Sequence, residues 1–167
     1  MSATFVAILM GSDSDLPVMQ STIDVLKKFD ISYEVKVRSA HRTPDAAKAY
    51  VKDAEERGCK VFICAAGLAA HLAGAVAGMT TRPVIGVPVD NGPLQGHDAL
   101  LSTVMMPGGI PVATVAIGKA GAKNAGYLAA QILGVENQDL ADKVKAEHAA
   151  NAEALLAKDE AMQKTLA

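Results

Sequence analysis

The strongest constraint on this chain is a set of short, almost unbroken apolar runs separated by segments of helical periodicity. The runs cover residues 4–10, 33–37, 60–66, 83–89 and 110–117. Apart from the second, none alternates cleanly between polar and apolar residues. Strands read this way when helices cover both faces of a parallel sheet. The second run, Tyr33-Glu34-Val35-Lys36-Val37, does alternate, as an edge strand with one wetter side should.

Between the runs, Leu16, Met19, Ile23 and Leu26 follow a helical rhythm that ends before Asp30. Thr43 then sits as an N-cap before Pro44 and Asp45, with Ala46, Ala49, Tyr50 and Ala54 predicted to share the buried face until Gly58. Residues 67–78 and 119–133 read as two further helices, the second packing through Ala122, Ala125, Ala129, Ile132 and Leu133. Strand and helix in alternation predict an α/β fold, a three-layer sandwich with a five-stranded parallel sheet of flavodoxin-like order 2-1-3-4-5. Residues 138–167 read as a charged C-terminal helical arm with thinly spread apolar positions, lying on a neighbouring subunit. With no linker or repeat, 1–167 reads as a single domain.

Composition narrows the function classes. Lys and Arg number 16 against 18 Asp and Glu, a net charge of −2, which argues against a basic nucleic-acid or membrane-surface module. No apolar stretch reaches the ~20 residues of a membrane helix. The first residues lack the positively charged segment of a signal peptide, and two cysteines, Cys59 and Cys64, make no disulfide framework, so the reading is cytoplasmic. The 31 alanines and absence of tryptophan suit close packing and an oligomer that completes its burial between copies.

Chemistry concentrates in loops that follow the first three runs. Gly11-Ser12-Asp13-Ser14-Asp15 offers a tight turn, hydroxyls and a helix start whose free N–H groups can hold an anion. Ser14 and Asp15 read equally well as helix caps. Ser39-Ala40-His41-Arg42 sets a proton-exchanging imidazole beside a guanidinium fork suited to phosphate. Ala66-Gly67-Leu68-Ala69-Ala70-His71-Leu72 lets a flat ligand press on backbone amides, with His71 readable also as a core histidine. Residues 91–96 form a fourth loop and 105–109 a fifth, read as a lid or pocket wall. HExxH, GxSxG, Walker and GxGxxG patterns are absent, and the histidines are scattered, so neither metal nor cofactor is expected. The residues alone describe a small phosphorylated metabolite with His41 moving a proton, and they do not name the reaction.

Gly11-Ser12-x-Ser14-Asp15, Ser39-Ala40-His41-Arg42-Thr43-Pro44, Ala69-Ala70-His71-Leu72 and Pro83-Val84-Ile85-Gly86-Val87-Pro88 together resemble the N5-carboxyaminoimidazole ribonucleotide mutase family, the catalytic subunits of phosphoribosylaminoimidazole carboxylase. Met106-Pro107-x-Gly109-Ile110-Pro111 and Ala116-Ile117-Gly118 extend the likeness over roughly residues 4–135. The resemblance implies a cytoplasmic, cofactor-free isomerase of purine biosynthesis, moving a carboxylate from N5 to C4 of an aminoimidazole ribonucleotide, and a homo-octamer. It implies Ser12, Ser39 and Arg42 at the phosphate, with Ser14 beside them, and Asp15 on the ribose hydroxyls. His41 is then the proton-transfer residue, His71 lies near the base and carboxylate, and Ala66, Gly67, Ala69, Ala70 and Leu72 line the substrate. Arg42, where a directly CO2-using branch often has lysine, points to the mutase branch. The other readings are that direct carboxylation and a nucleotide-binding sensor without turnover. The chain departs from the family pattern at Leu68, commonly glycine, at Ala99, often serine, and at Met105, often glutamine.

Overall fold

A computed structural model describes residues 4–166; Met1 to Ala3 and Ala167, and the readings that touch them, lie outside it. In chain order the elements are β1 (Phe5–Met10), a 3-10 turn (Asp13–Asp15), α1 (Leu16–Lys28), β2 (Tyr33–Val37), α2 (Pro44–Glu56), β3 (Cys59–Gly67), α3 (Leu72–Ala77), β4 (Val84–Val89), α4 (His97–Val104), β5 (Ala113–Thr114), α5 (Gly118–Gly134) and α6 (Gln138–Leu166). The five strands are parallel and lie in the order β2-β1-β3-β4-β5, so the alternating run is indeed at an edge. Among the described residues, no helix is long and apolar enough to cross a membrane.

The period of two divides the strand side chains between two cores. Val6, Ile8 and Met10 face Met19, Ile23 and Leu26 of α1 and the alanines of α5, with Leu140 and Val144 of α6 closing that side. Phe5, Ala7 and Leu9 face the opposite way, onto Tyr50, Val51 and Ala54 of α2 and onto Leu72 and Val76 of α3. Each fully buried Val, Leu, Ile or Phe contributes roughly 1.5–3 kcal/mol over its exposed state, and strands buried on both faces collect this twice per pair of residues. Small residues set the helix spacing. A Cβ on Gly126 would lie 2.8 Å from Val25 Cβ, so α5 approaches α1 closely there. In that seam Thr22 Oγ1, wholly buried, donates to the Ala122 carbonyl at 2.6 Å.

Four local readings need correction. The face of α2 is Ala47, Tyr50, Val51 and Ala54; Ala46 and Ala49 are exposed, because the apolar stripe runs one residue out of the expected phase. Thr43 holds the N-cap position without capping, since its hydroxyl accepts from Ser39 N–H and donates to the Ser39 carbonyl. The third helix begins at Leu72 instead of 67, because β3 runs through Gly67 and Leu68 turns left-handed. The fifth strand is two residues long where eight were expected. Val115 N–H donates to the Gly86 carbonyl, so the even residues of β4 aim their backbone groups at β5. The next donor on that side is residue 88, a proline, and the ladder stops. The helix His97–Val104 lay hidden in the sequence behind the loop signals of residues 91–96.

Candidate active site

Parallel strands deliver their C-terminal loops to one edge of the sheet, and the loops after β1, β2 and β3 meet there around a cavity of about 630 Å3. Ser12, Ser14, Asp15, Ser39, His41, Arg42, Ala66, Gly67, Ala69, His71 and Leu72 all line it. Ala70 does not; it is buried, with its carbonyl 3.5 Å from Thr103 Oγ1 under α4. Gly11, Ala40, Leu68 and Asn91 complete the wall, none of them among the expected ligands. Asn91 carried no sequence signal beyond its place in a loop after a strand. Residues 105–109 are not part of the wall. Met105 is largely exposed, and Met106 packs over Gly74 of α3.

The first loop folds on itself. Ser12 Oγ accepts from Ser14 N–H while Asp15 Oδ2 accepts from Ser12 N–H at 3.1 Å, a reciprocal cap on the 3-10 turn that leads into α1. Ser14 Oγ is 2.9 Å from Ser12 Oγ, leaving two hydroxyls side by side at the cavity edge. Asp15 is 2% exposed, and Asn91 Nδ2 donates to its Oδ1 at 3.0 Å. Burial pushes its carboxyl above the ordinary 3.8; the Ser12 N–H, the Asn91 amide and the Arg42 charge pull it back, and Asp13 opposes them. The cap on the turn is thus Ser12, and not Ser14 or Asp15 as expected. Asp15 is its reciprocal partner, makes no cap hydrogen bond to α1, and is a buried carboxylate facing the cavity.

The second loop is tied to the first. Arg42 N–H donates to Ser39 Oγ at 3.1 Å, and Arg42 Nη2 donates to the Gly11 carbonyl at 2.6 Å. One edge of the guanidinium is anchored and other N–H groups are left for an anion. His41 reaches the third loop: its Nε2 lies 2.7 Å from His71 Nδ1, with the rings edge-to-face at 88°. A contact of that length between two ring nitrogens holds one proton, so one imidazole donates to the other. The cavity therefore has a hydroxyl-and-guanidinium end, a carboxylate on one wall and a paired imidazole that can take or give a proton. Among the described residues no group of three or more His, Cys, Asp or Glu side chains is arranged to hold a metal ion. Cys59 and Cys64 are free and buried inside the sheet, and burial pushes the Cys59 thiol up to about 11.

This architecture is shared. The chain is 33% identical to Treponema denticola PurE, whose crystal structure superposes with a TM-score of 0.83 over 94% of this chain and 97% of that one. Proteins named N5-carboxyaminoimidazole ribonucleotide mutase are similar in sequence. That of Thermotoga maritima is 59% identical over 84% of this chain and 81% of its own length. That of Vibrio parahaemolyticus is 53% identical over 91% and 94%. The family model described as AIR carboxylase matches residues 5–154, which takes in every loop of the cavity, and the chain belongs to that family.

Proposed function

We infer that the chain is an enzyme, a mutase that converts N5-carboxyaminoimidazole ribonucleotide to 4-carboxy-5-aminoimidazole ribonucleotide in purine biosynthesis. Relatives more than half identical carry that name, and the observation that joins their chemistry to this chain is the single cavity holding His41, Arg42 and Asp15. In this reading Ser12, Ser14, Ser39 and Arg42 receive the phosphate, Asp15 the ribose hydroxyls, and Ala66, Gly67, Ala69, His71 and Leu72 the imidazole and its carboxyl group. The catalytic groups are His41 and His71, and no cofactor takes part.

The carboxyl transfer needs one proton moved twice. The N5–carboxyl bond breaks, its electrons stay on nitrogen, and His41 protonates that nitrogen as CO2 forms. C4 of the ring, made nucleophilic by the exocyclic amine, then attacks the CO2 carbon. His41 removes the C4 proton, which restores aromaticity and returns the imidazole to its starting state. Backbone N–H groups at the end of β3 and the start of the loop after it face the carboxyl oxygens, and His71 orients His41 through their shared hydrogen bond. Incubation of the pure protein with N5-carboxyaminoimidazole ribonucleotide should yield the 4-carboxy isomer without ATP. Synthesis only from aminoimidazole ribonucleotide and high CO2 would select direct carboxylation, and binding without conversion would select a sensor.

The same reading makes the protein a single-domain, cytoplasmic homo-octamer in which the end of α6 lies on a neighbouring copy. Leu140 and Val144 seat the start of that helix, and Glu147 pairs with Lys28 and accepts from Tyr127. Beyond it Leu155, Leu156, Met162 and Leu166 are all more than half exposed. Deleting residues 149–167 should therefore lower the association state while leaving the fold of one copy intact. Sedimentation showing the truncated protein in the same association state as the full-length protein would reject the arm.

A further inference from the structure

Two consecutive residues at the end of β3 meet two consecutive residues of the loop after β4. Leu68 has φ +55°, a left-handed conformation that side chains with a branched or bulky body rarely adopt. Unlike Asn or Asp, it has no polar group to bond the local backbone in compensation. It is also 52% exposed, so burial does not force it there. What it touches is residue 92: a Cβ on Gly92, itself at φ +99°, would lie 2.6 Å from Leu68 Cδ2. Next to this contact, a Cβ on Gly67 would lie 3.0 Å from Asn91 Cβ and 3.3 Å from Asn91 Nδ2. Asn91 therefore lies directly on the bare backbone of Gly67. From there its Nδ2 donates to Asp15 Oδ1 at 3.0 Å. The remainder of residues 91–96 is exposed apart from Gly96, so little else holds Asn91 down.

We propose that Leu68 is a positioning residue: wedged against Gly92, it holds the 91–96 loop onto Gly67 and keeps the Asn91 carboxamide on Asp15. The inference rests on the reading of Asp15 as a substrate-binding carboxylate. Leu68 and Gly92 act as a pair, one left-handed residue supplying the wedge and one supplying the space for it. The wedge sets affinity, since what it fixes is a binding group and not a proton-transfer group.

The test is a set of variants measured by calorimetry with the substrate, by steady-state kinetics, by thermal melting and by NMR of the Asn91 side-chain amide. Leu68→Gly removes the wedge and relaxes the left-handed backbone, so its Tm should hold or rise. Its Kd should rise about fivefold to twentyfold, followed by KM more than by kcat, and its Asn91 amide should exchange faster with solvent. Leu68→Met, which still reaches residue 92, should recover most of the affinity. Adding Asn91→Ala to Leu68→Gly should cost little more than Asn91→Ala alone. Unchanged affinity or an unchanged Asn91 amide in Leu68→Gly overturns the proposal, as does an additive loss in the double variant. Asp15→Ala, measured alongside, tests the reading beneath: wild-type affinity there removes Asp15 from the site, while the amide exchange still reports on the wedge by itself.

Discussion

The seam between α1 and α5 and the cavity at the ends of the strands are built on opposite terms. In the seam, glycines and alanines let two helices close on each other, and its buried hydroxyl, Thr22, has a 2.6 Å partner. In the cavity a carboxylate is buried, two imidazoles share a proton and a leucine sits left-handed. The seam lowers the free energy of the fold; the cavity holds groups in states that the fold must hold against their own preference. Substitutions in the first should register as stability and in the second as binding or turnover.

The largest effect is expected from Gly121→Ala. A Cβ there would lie 1.5 Å from the Ala116 carbonyl oxygen, an overlap with backbone that no rotamer relieves. The variant should lose more than about 3 kcal/mol, enough to leave little soluble folded protein. That clash is with the segment entering α5. Within the seam itself Gly126→Ala, whose Cβ would lie 2.8 Å from Val25 Cβ, should cost roughly 1–3 kcal/mol, and a Tm equal to wild type would break the comparison. His41→Asn should do the reverse, losing at least about 10²-fold in turnover with binding within about tenfold and an unaltered melt. His71→Asn should lose less turnover, because its part is to orient. Arg42→Leu comes next, weakening substrate binding about 10- to 100-fold through the lost charge-assisted fork. An unchanged Kd would remove the phosphate from this end of the cavity.

The smallest effect sharpens the contrast within one residue. Burial raises the Asp15 carboxyl above its ordinary 3.8. The folded, empty protein thus binds that proton at a higher pH than the unfolded chain does. Its contribution to stability falls as pH rises from the ordinary carboxylate value through the raised one. Affinity for a ligand that needs the charged carboxylate should rise across the same interval. Subtracting the pH profiles of Asp15→Asn from those of wild type isolates both trends, and parallel trends would contradict the assignment.

Strands β1, β3 and β4 could be read from the sequence because a strand covered on both faces has no polar positions to blur it, and β2 because its alternation marks an edge. The fifth was placed correctly but not its length, because its end is decided on its neighbour, by the missing N–H of Pro88. The face of α2 slipped out of phase because alanine sits on buried and exposed positions alike. Around the cavity, Arg42 and His41 stood out as side chains that packing does not explain. Asp15 stayed ambiguous in the sequence because it does two jobs, accepting from Ser12 N–H and facing the cavity. Asn91 and the conformation of Leu68 depend on a meeting of loops more than twenty residues apart, which no local pattern carries.

The truncated fifth strand has a consequence for what happens when the chain is damaged or crowded. Open sheets invite other chains to add to their edges, and here the flank beside β4 is guarded by only two paired residues, Ala113 and Thr114. If that short cover peels away, the bared flank of β4 still presents Pro88 on its outward side. An incoming strand would find its ladder interrupted at the same place where β5 gives up. The proline that shortens the fold thus also guards this edge of the sheet against runaway cross-chain pairing.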